Sequence, residues 1–375
     1  MTALEVTITP EVIATTDDKI GTIIGKMKES RQWVVPVIKN GKYVGIFSYK
    51  DLLSKRVSLE SKILNIIKPT TTLSPRDDIP KIVARFYTTK ARALPVVDDN
   101  KRLLGIISRE SLLHYLLSQG KVPSTRAREF MSSPATTIKT DDSVARARWI
   151  MIRENISRLP VVDDSNKLAG IVTTKDIVDK LYSISSKKRS SILREEERIM
   201  ALPVKEIMSY PVYSFKATDD LISIASNLLN HKISGGPVFE GENLVGVIST
   251  IDIISAVAKQ FEISMPIEAK LTQDLKKPEL QSMIDGILDR YVARLERITE
   301  VIKFNVSFKE EAKSQGSKIY TVTARAITKI GSFIAKESDR DPIFAVRKAV
   351  DILEERILKA LKKIQESKKK GSKEE

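Results

Sequence analysis

Three short steps in this chain place a hydroxyl and a carboxylate three residues apart: Ser48 and Asp51, Thr173 and Asp176, and Ser249 and Asp252. Each follows a glycine and two apolar residues and stands where a helix is about to begin. A hydroxyl at a helix N-terminus, beside free backbone N–H groups, suits a phosphate. An aspartate one turn on can accept two hydrogen bonds from a ribose diol, as acidic residues do in other nucleotide folds. The same spacing also reads as a capping box, which needs no ligand. A fourth step departs: Ser108 is followed by Ser111 at the aspartate position, with Glu110 one residue early, which leaves a ribose role there open. Arg158, just before a Leu-Pro-Val strand, is the best candidate for a phosphate clamp, because a planar guanidinium meets phosphate in a bidentate way. The alternative for it is a surface arginine. Its counterparts Val34, Ala93 and Gly235 carry no charge, so the third copy is the favoured site. Thr136 and Ile138, on a short extended piece earlier in that copy, complete the nucleotide-binding candidates.

These steps sit inside a fourfold phrase: GIFSYKDLL from Gly45, GIISRESLL from Gly105, GIVTTKDIV from Gly170 and GVISTIDII from Gly246. Each phrase closes a longer unit. In the third unit a short strand at Thr136–Ile138 precedes a helix from Ser143 to Glu154 with apolar residues at helical spacing. Strands follow at Leu159–Val162 and Leu168–Val172, around a turn holding Asp163, Asp164 and Asn166, and a helix starts after Thr173. The order is β-α-β-β-α, and the other three units parse the same way.

With their LPVVDD-type strands (Leu94–Asp99, Leu159–Asp164) and four Gly-h-h-[Ser/Thr] endings, these units resemble CBS domains, adenosine-ligand sensor modules that pair into pseudo-symmetric discs. The resemblance implies two tandem pairs, residues 1–122 and 123–262, with AMP, ADP or ATP as a regulatory ligand and a possible homodimer formed through the pairs. It also assigns the Ser/Thr and Asp positions above to phosphate and ribose.

Composition narrows the function. The chain has no cysteine, which excludes disulfides and cysteine zinc sites. Its two histidines, His114 and His231, lie far apart, so a histidine metal cluster is not expected. No P-loop, GxSxG or paired-histidine motif is visible, and the chain reads as a non-enzyme. The pairs Asp17–Asp18, Asp77–Asp78, Asp141–Asp142 and Asp219–Asp220 recur just before helices, where capping explains them better than acid–base chemistry. Trp33 and Trp149 read as core or inter-repeat packing. Ile184–Arg198 reads as a charged, partly helical linker. The opening MTALEVTITPEV lacks the basic and apolar regions of a leader, and no apolar run reaches the ~18 residues of a membrane span. A cytoplasmic location with no membrane contact is the expectation. The net charge of +15 favours a polyanionic partner, although a lysine-rich surface alone would also produce it.

The tail reads β-α-β-β-β-α. PIEAKLT is a first strand, and Pro278 opens a helix to about Ile298 with Leu280, Ile284, Ile287, Tyr291, Leu295 and Ile298 on one stripe. VIKFNVSFKEE, KIYTVTARAIT and about Lys329–Ala335 are strands, with a turn at Ser314–Ser317. Asp341–Pro342 starts a last helix with Pro in its first turn. Such an order makes a sheet with both helices on one face. The fold class is therefore α+β and α/β multidomain: four β-α-β-β-α units plus a C-terminal β-α-β-β-β-α domain at 263–367, followed by a disordered tail at 368–375.

This order, together with YVARLERITEV, KESDRDPIFAV and AVDILEERILKALKK, resembles the ribosome hibernation-promoting factor family. Ile343 stands where that family's loop–helix motif has tyrosine, and Arg347 where it has an acid. The resemblance implies binding of the small ribosomal subunit and its rRNA, with block of the mRNA/tRNA channel. The basic residues off the apolar stripes are the RNA-contact candidates: Arg290, Arg294, Arg297, Lys329, Lys336, Arg347, Lys348, Lys359, Lys362 and Lys363. They suit structured RNA read by shape and backbone. Interleaved acids could instead pair with them on the helix surface.

The leading expectation is thus a ribosome hibernation factor whose CBS-like array senses adenine nucleotides or mediates dimerisation. The alternatives are a nucleotide-sensing regulatory subunit of an enzyme and an RNA-binding regulator of transcripts.

Overall fold

The computed structural model describes residues 2–54, 57–67, 70–182, 189–263, 267–276, 278–312 and 318–371. The chain forms one compact unit from Met1–Tyr87 and Ala91–Ile263, holding the repeats, and a second from Thr88–Lys90 and Ser264–Glu375.

The first repeat comprises α1 (Ala3–Val6), β1 (Ala14–Thr15), α2 (Ile20–Ser30), β2 (Val34–Lys39), β3 (Lys42–Ser48) and α3 (Tyr49–Ser54). The second has α4 (Ile79–Thr89), β4 (Ala93–Val97), β5 (Leu103–Ser108) and α5 (Arg109–Ser118); its opening strand is reduced to a parallel bridge between Leu73 and Val96. The third has β6 (Ile138–Lys139), α6 (Val144–Arg153), β7 (Arg158–Val162), β8 (Leu168–Thr173) and α7 (Thr174–Leu181), then α8 (Arg189–Ala201). The fourth has β9 (Phe215–Lys216), α9 (Leu221–Asn230), β10 (Gly235–Glu240), β11 (Asn243–Ser249) and α10 (Thr250–Gln260). The helix after each first strand buries one stripe: Ile20, Ile23, Ile24 and Met27 in α2, and Leu221, Ile224, Ala225 and Leu228 in α9. The acidic pairs hold the turns before those helices. Asp18, Asp77, Asp142 and Asp219 each accept the backbone N–H three residues earlier. α8 occupies much of the expected linker, and residues 184–188 lie outside the described set.

Each repeat lends its leading segment to its neighbour. Ile8 bridges Ile106 of the second repeat, and Lys62 returns to Lys19 of the first. Ser132 bridges Val247 of the fourth repeat, and Ser209 bridges Ile171 of the third. The glycine of the repeated phrase makes this possible. A side-chain carbon at Gly105 would lie 2.7 Å from the Ile8 carbonyl oxygen; at Gly246 it would lie 2.9 Å from that of Ser132, and at Gly170 3.0 Å from that of Ser209. Bare backbone is needed where another chain segment crosses this closely.

Two apolar cores follow. One joins the first and third repeats, including Phe47, Leu52, Val161 and Ile177; the other joins the second and fourth, including Phe86, Leu113, Leu228 and Ile253. Helices make these joints, α3 against α7 and α5 against α9 and α10. Strand ends make the joint between the first and second repeats, where Val34, Ala93 and Ile106 pack together.

In the C-terminal body, β12 (Ile267–Lys270), α11 (Pro278–Glu296), β13 (Val301–Ala312), β14 (Lys318–Thr328), β15 (Gly331–Asp339) and α12 (Pro342–Gly371) follow in order. The sheet order is β12-β13-β14-β15, with β12 parallel to β13 and the rest antiparallel. One face, with Phe304, Val306, Val322, Ala324 and Ala335, packs on the buried stripes of α11 and α12. β15 runs four residues past the expected Ala335, because its pairing with β14 continues to Tyr320–Asp339. α12 continues to Gly371, so residues 368–371 are helical rather than irregular. The expected turn at Ser314–Ser317 lies outside the described residues.

Candidate anion site of the repeat array

All three hydroxyl–carboxylate steps form. Ser48 donates to Asp51 Oδ2 from N (2.9 Å) and Oγ (2.6 Å). Thr173 does so to Asp176 Oδ2 at 2.7 Å from both atoms, as does Ser249 to Asp252 Oδ2. The steps at Thr173 and Ser249 are capping boxes, and in all three steps both bonds fall on one carboxylate oxygen. Burial pushes the Asp176 carboxyl above its ordinary range, against the pull of the Thr173 bonds. Ser108 and Ser111 form a neutral version, each backbone N–H donating to the other's hydroxyl at 3.0 Å. The six residues of α3 make Ser48 the weakest anion position of the three.

Strand register sets a side chain opposite each step. Arg158 pairs with Thr173, Val34 with Ser48, Ala93 with Ser108 and Gly235 with Ser249. Arg158 therefore stands across from the start of α7, but its guanidinium leaves its own repeat. Nη2 donates to Ser234 Oγ of the fourth repeat at 2.7 Å. Nη1 is sealed from solvent with no hydrogen-bond partner among the described residues. Burial first, then the neighbouring charge of Arg92, depresses its pKa to about 10, so it stays charged at neutral pH. A side-chain carbon at Gly235 would lie 1.8 Å from that Nη1, so the glycine makes the room.

Arg92 was not anticipated. It lies three residues before the strand proline of its repeat, where Arg158 lies two before its own. The signal was present in the sequence, displaced by one position. Arg92 Nη2 donates to the same Ser234 Oγ at 3.3 Å. Its guanidinium lies 4.1 Å from the centroid of Trp33, and its Nη1, 3.7 Å from Glu110 Oε1, is also buried without a hydrogen bond among the described residues. Trp33 is thus inter-repeat packing. Trp149 is not: it is 55% exposed, with Arg153 stacked on its ring. Thr136 is exposed, whereas Ile138 is 3% exposed and its side chain belongs to the core, because the short β6 points it inward opposite Val161. A cleft of about 420 Å³ lined by α2, Leu59, Glu60 and Tyr182 touches none of the steps; convergent charge, not cavity size, marks the site.

The ten basic candidates of the C-terminal body do not share one face. Arg294 lies in the seam between α11 and α12, 3.1 Å from Glu354 and 3.4 Å from Asp351. Lys348 pairs with Asp339 (2.6 Å), Lys359 with Glu355 (2.7 Å) and Lys329 with Glu300 (4.0 Å). Arg290, Arg297 and Arg347 are half-buried; Lys362 and Lys363 are exposed on α12. Lys336 is exposed on the sheet face away from the helices, since its neighbour Ala335 is in the core. Helix packing, which the sequence stripe does not report, turns several of these charges toward acids.

Among the described residues no group of three or more His, Cys, Asp or Glu could hold a metal ion, and no helix is long and apolar enough to cross a membrane. The sequence profile of the CBS domain matches residues 3–58, 62–118, 127–183 and 204–259, the four repeats. The chain belongs to the CBS domain family. Its CBS array resembles a crystal structure of a protein from Methanocaldococcus jannaschii described as a candidate archaeal homologue of γ-AMPK, with TM-score 0.61 and 21% identity over 68% of this chain and 99% of that one. At that identity the likeness speaks for the fold. An uncharacterised protein of the same organism is 26% identical over 328 residues, covering 86% of this chain and 76% of the other. That span exceeds the CBS array and so includes part of the C-terminal body. Inosine-5′-monophosphate dehydrogenase of that organism is 30% identical over 115 residues, 31% of this chain and 22% of the enzyme.

Proposed function

We propose that this protein is a nucleotide-sensing regulator, in which the CBS array takes an adenine nucleotide and the C-terminal body passes the outcome to an enzyme or another protein partner. The observation that carries the reading is the third repeat. There Thr173 stands at the N-terminus of an eight-residue helix with Asp176 one turn on, and Arg158, opposite Thr173 on the paired strand, sends its guanidinium, with a desolvated Nη1, to Ser234 of the fourth repeat. Phosphate at the helix start and a ribose diol on the aspartate would use the groups that the fold has placed there. The match to a segment of inosine-5′-monophosphate dehydrogenase, an enzyme acting on a nucleotide, supports a regulatory role for such an array. Sensing requires that the ligand discriminate between two states of the protein; tight binding alone shifts nothing.

Titrating AMP, ADP and ATP calorimetrically into the full chain and into Asp176→Ala tests this. At least one nucleotide binds the wild type, and the variant weakens it by about tenfold, the loss of a charge-assisted bond. Absence of heat with all three leaves only capping boxes and sinks the reading.

The ribosome-binding reading of residues 263–367 keeps one observation in its favour, the β-α-β-β-β-α order. The CBS matches end at residue 259 and lend it nothing. Sedimentation of the full chain with small ribosomal subunits at low salt decides it: a chain that stays with free protein ends this reading.

A further inference from the structure

The C-terminal sheet has two unlike faces. Phe304, Val306, Val322, Ala324 and Ala335 fill the face on which both helices of this body pack. The residues that alternate with them therefore stand on the other face. Three isoleucines meet at one end of that open face. Ile327 of β14 pairs with Ser332, and Ile334 of β15 pairs with Arg325, so the two isoleucines are diagonal neighbours. Ile302 sits beside Ile327, in the bulge where β13 slips register between Val301 and Lys303. Ile302 is 62% exposed, Ile327 36% and Ile334 44%. One exposed isoleucine on a strand needs no explanation, but three side by side form a patch.

Cations border the patch. One row crosses all four strands: Lys270 opposite Ser307, Ser307 opposite Thr323, and Thr323 opposite Lys336. Arg325 stands in the next row, between Asn305 and Ile334. Lys303 is paired with Glu268 at 3.1 Å and Lys309 with Glu311 at 2.9 Å. Lys270, Arg325 and Lys336 are exposed and have no acid in ion-pair reach among the described residues. The aromatic residues of these strands, Phe304, Phe308, Tyr320 and Phe333, all lie on the helix side. The outer edge of β15 is occupied at one point, where Arg356 of α12 donates to the Ile334 carbonyl.

We propose that this open face docks an acidic amphipathic helix of a protein partner, with its apolar residues on Ile302, Ile327 and Ile334 and its carboxylates on Arg325, Lys270 and Lys336. The spacings agree. Successive side chains on one face of a strand stand about 7 Å apart, and a helix repeats a side chain about every 5.4 Å along its axis. Apolar residues at i and i+3 or i+4, with acids a turn or two further on, therefore meet the patch and the basic row together. Helix on sheet is also how the opposite face of this sheet is covered. A second copy seated face to face would set unpaired cations against unpaired cations. A nucleic acid strand would meet the cations, but it would cover the isoleucines and find no aromatic ring on which to stack. This deepens the proposed function, since it names the surface through which the C-terminal body meets its partner, and it rests on that part of the reading.

The test places a photoreactive amino acid at Ile334 of the full chain, and as a control at Lys362 on α12, in an extract of the cells that make the protein. Mass spectrometry then reads what is attached. Position 334, and not 362, attaches to a protein segment rich in Asp and Glu with apolar residues at helical spacing. That segment, made as a peptide, binds the wild type. It binds the double variant Ile327→Ser, Ile334→Ser and the single variant Arg325→Glu at least about tenfold more weakly. All of these exposed positions leave the unfolding temperature unchanged, so the loss is one of contact. Attachment to RNA, to a second copy of the chain or to nothing overturns the docking face. A peptide that binds both variants as tightly as the wild type overturns it too. AMP titrated into the same proteins separates the two readings. AMP binding without any acidic segment ends the docking face and leaves nucleotide sensing in place; a bound segment without any nucleotide does the reverse.

Discussion

Arg158 reaches out of the third repeat to the hydroxyl of Ser234 in the fourth, 2.7 Å away, across a glycine with no side chain to stop it. Two substitutions separate the bond from the space. Ser234→Ala removes the one acceptor the two arginines share and is expected to lower the unfolding free energy by about 1–3 kcal/mol. Gly235→Ala puts a carbon 1.8 Å from Nη1 and must displace the guanidinium, with a cost of similar or larger size. Urea unfolding of both variants checks this; a Gly235→Ala protein as stable as the wild type would show that Arg158 does not hold this position.

The crossing at Gly105 predicts a local effect. A methyl group there would meet Thr7 Cγ2 at 2.4 Å and the Ile8 carbonyl oxygen at 2.7 Å. Gly105→Ala is expected to release residues 2–8 from the second repeat and to cost about 1–3 kcal/mol. Amide exchange at Ile8 and Ile106, whose N–H groups bond each other's carbonyls at 2.8 and 3.0 Å, should speed up while the C-terminal body is unchanged. Exchange that stays as slow as in the wild type contradicts the crossing.

Asp176 predicts a pH dependence. Burial raises its pKa in the folded state above the unfolded value of 3.8, so the folded protein binds this proton more tightly. Its contribution to stability is therefore unfavourable at neutral pH and improves as pH falls through the raised folded value toward 3.8. Nucleotide affinity runs the other way, because a protonated carboxyl accepts a ribose diol poorly. Calorimetry from about pH 7 down to about pH 4 should show affinity falling in the wild type and a flat, weak profile in Asp176→Asn. Parallel profiles would remove Asp176 from the site.

In the C-terminal body, Glu296 is 3% exposed at the end of α11, and its Oε1 accepts the Val301 N–H at 2.9 Å where β13 begins. Glu296→Ala strands that buried donor and is expected to cost about 2 kcal/mol, whereas Glu296→Gln keeps an acceptor and costs less than half of that. Thermal unfolding of the two variants compares them directly; equal losses would mean that the charge, not the acceptor, holds the joint.

Much of the fold was legible because it is local. The fourfold phrase, the 3.6-residue stripes of α2 and α9 and the alternation in β13 report, residue by residue, which side faces a core. The Ser/Thr–x–x–Asp steps were legible for the same reason: hydroxyl and carboxylate meet within one turn, and all three pairs met as their spacing required. The phrase glycines could be seen but not explained, since the segments that cross them come from other repeats.

The sequence by itself determined a repeated β-α-β-β-α array, its hydroxyl–carboxylate steps and a different domain after it. Only the tertiary structure decided where the charges meet. Arg92 and Arg158 are 66 residues apart in the chain, and no local pattern links them; helix packing between repeats brings both to Ser234. Strand pairing likewise buried the Ile138 side chain in the core, and the packing of α11 on α12 drew Arg294 toward Glu354. Period and capping act over a few residues and are written in sequence order. Convergence of distant charges depends on how whole repeats pack, and that becomes definite only when their apolar faces are buried against each other.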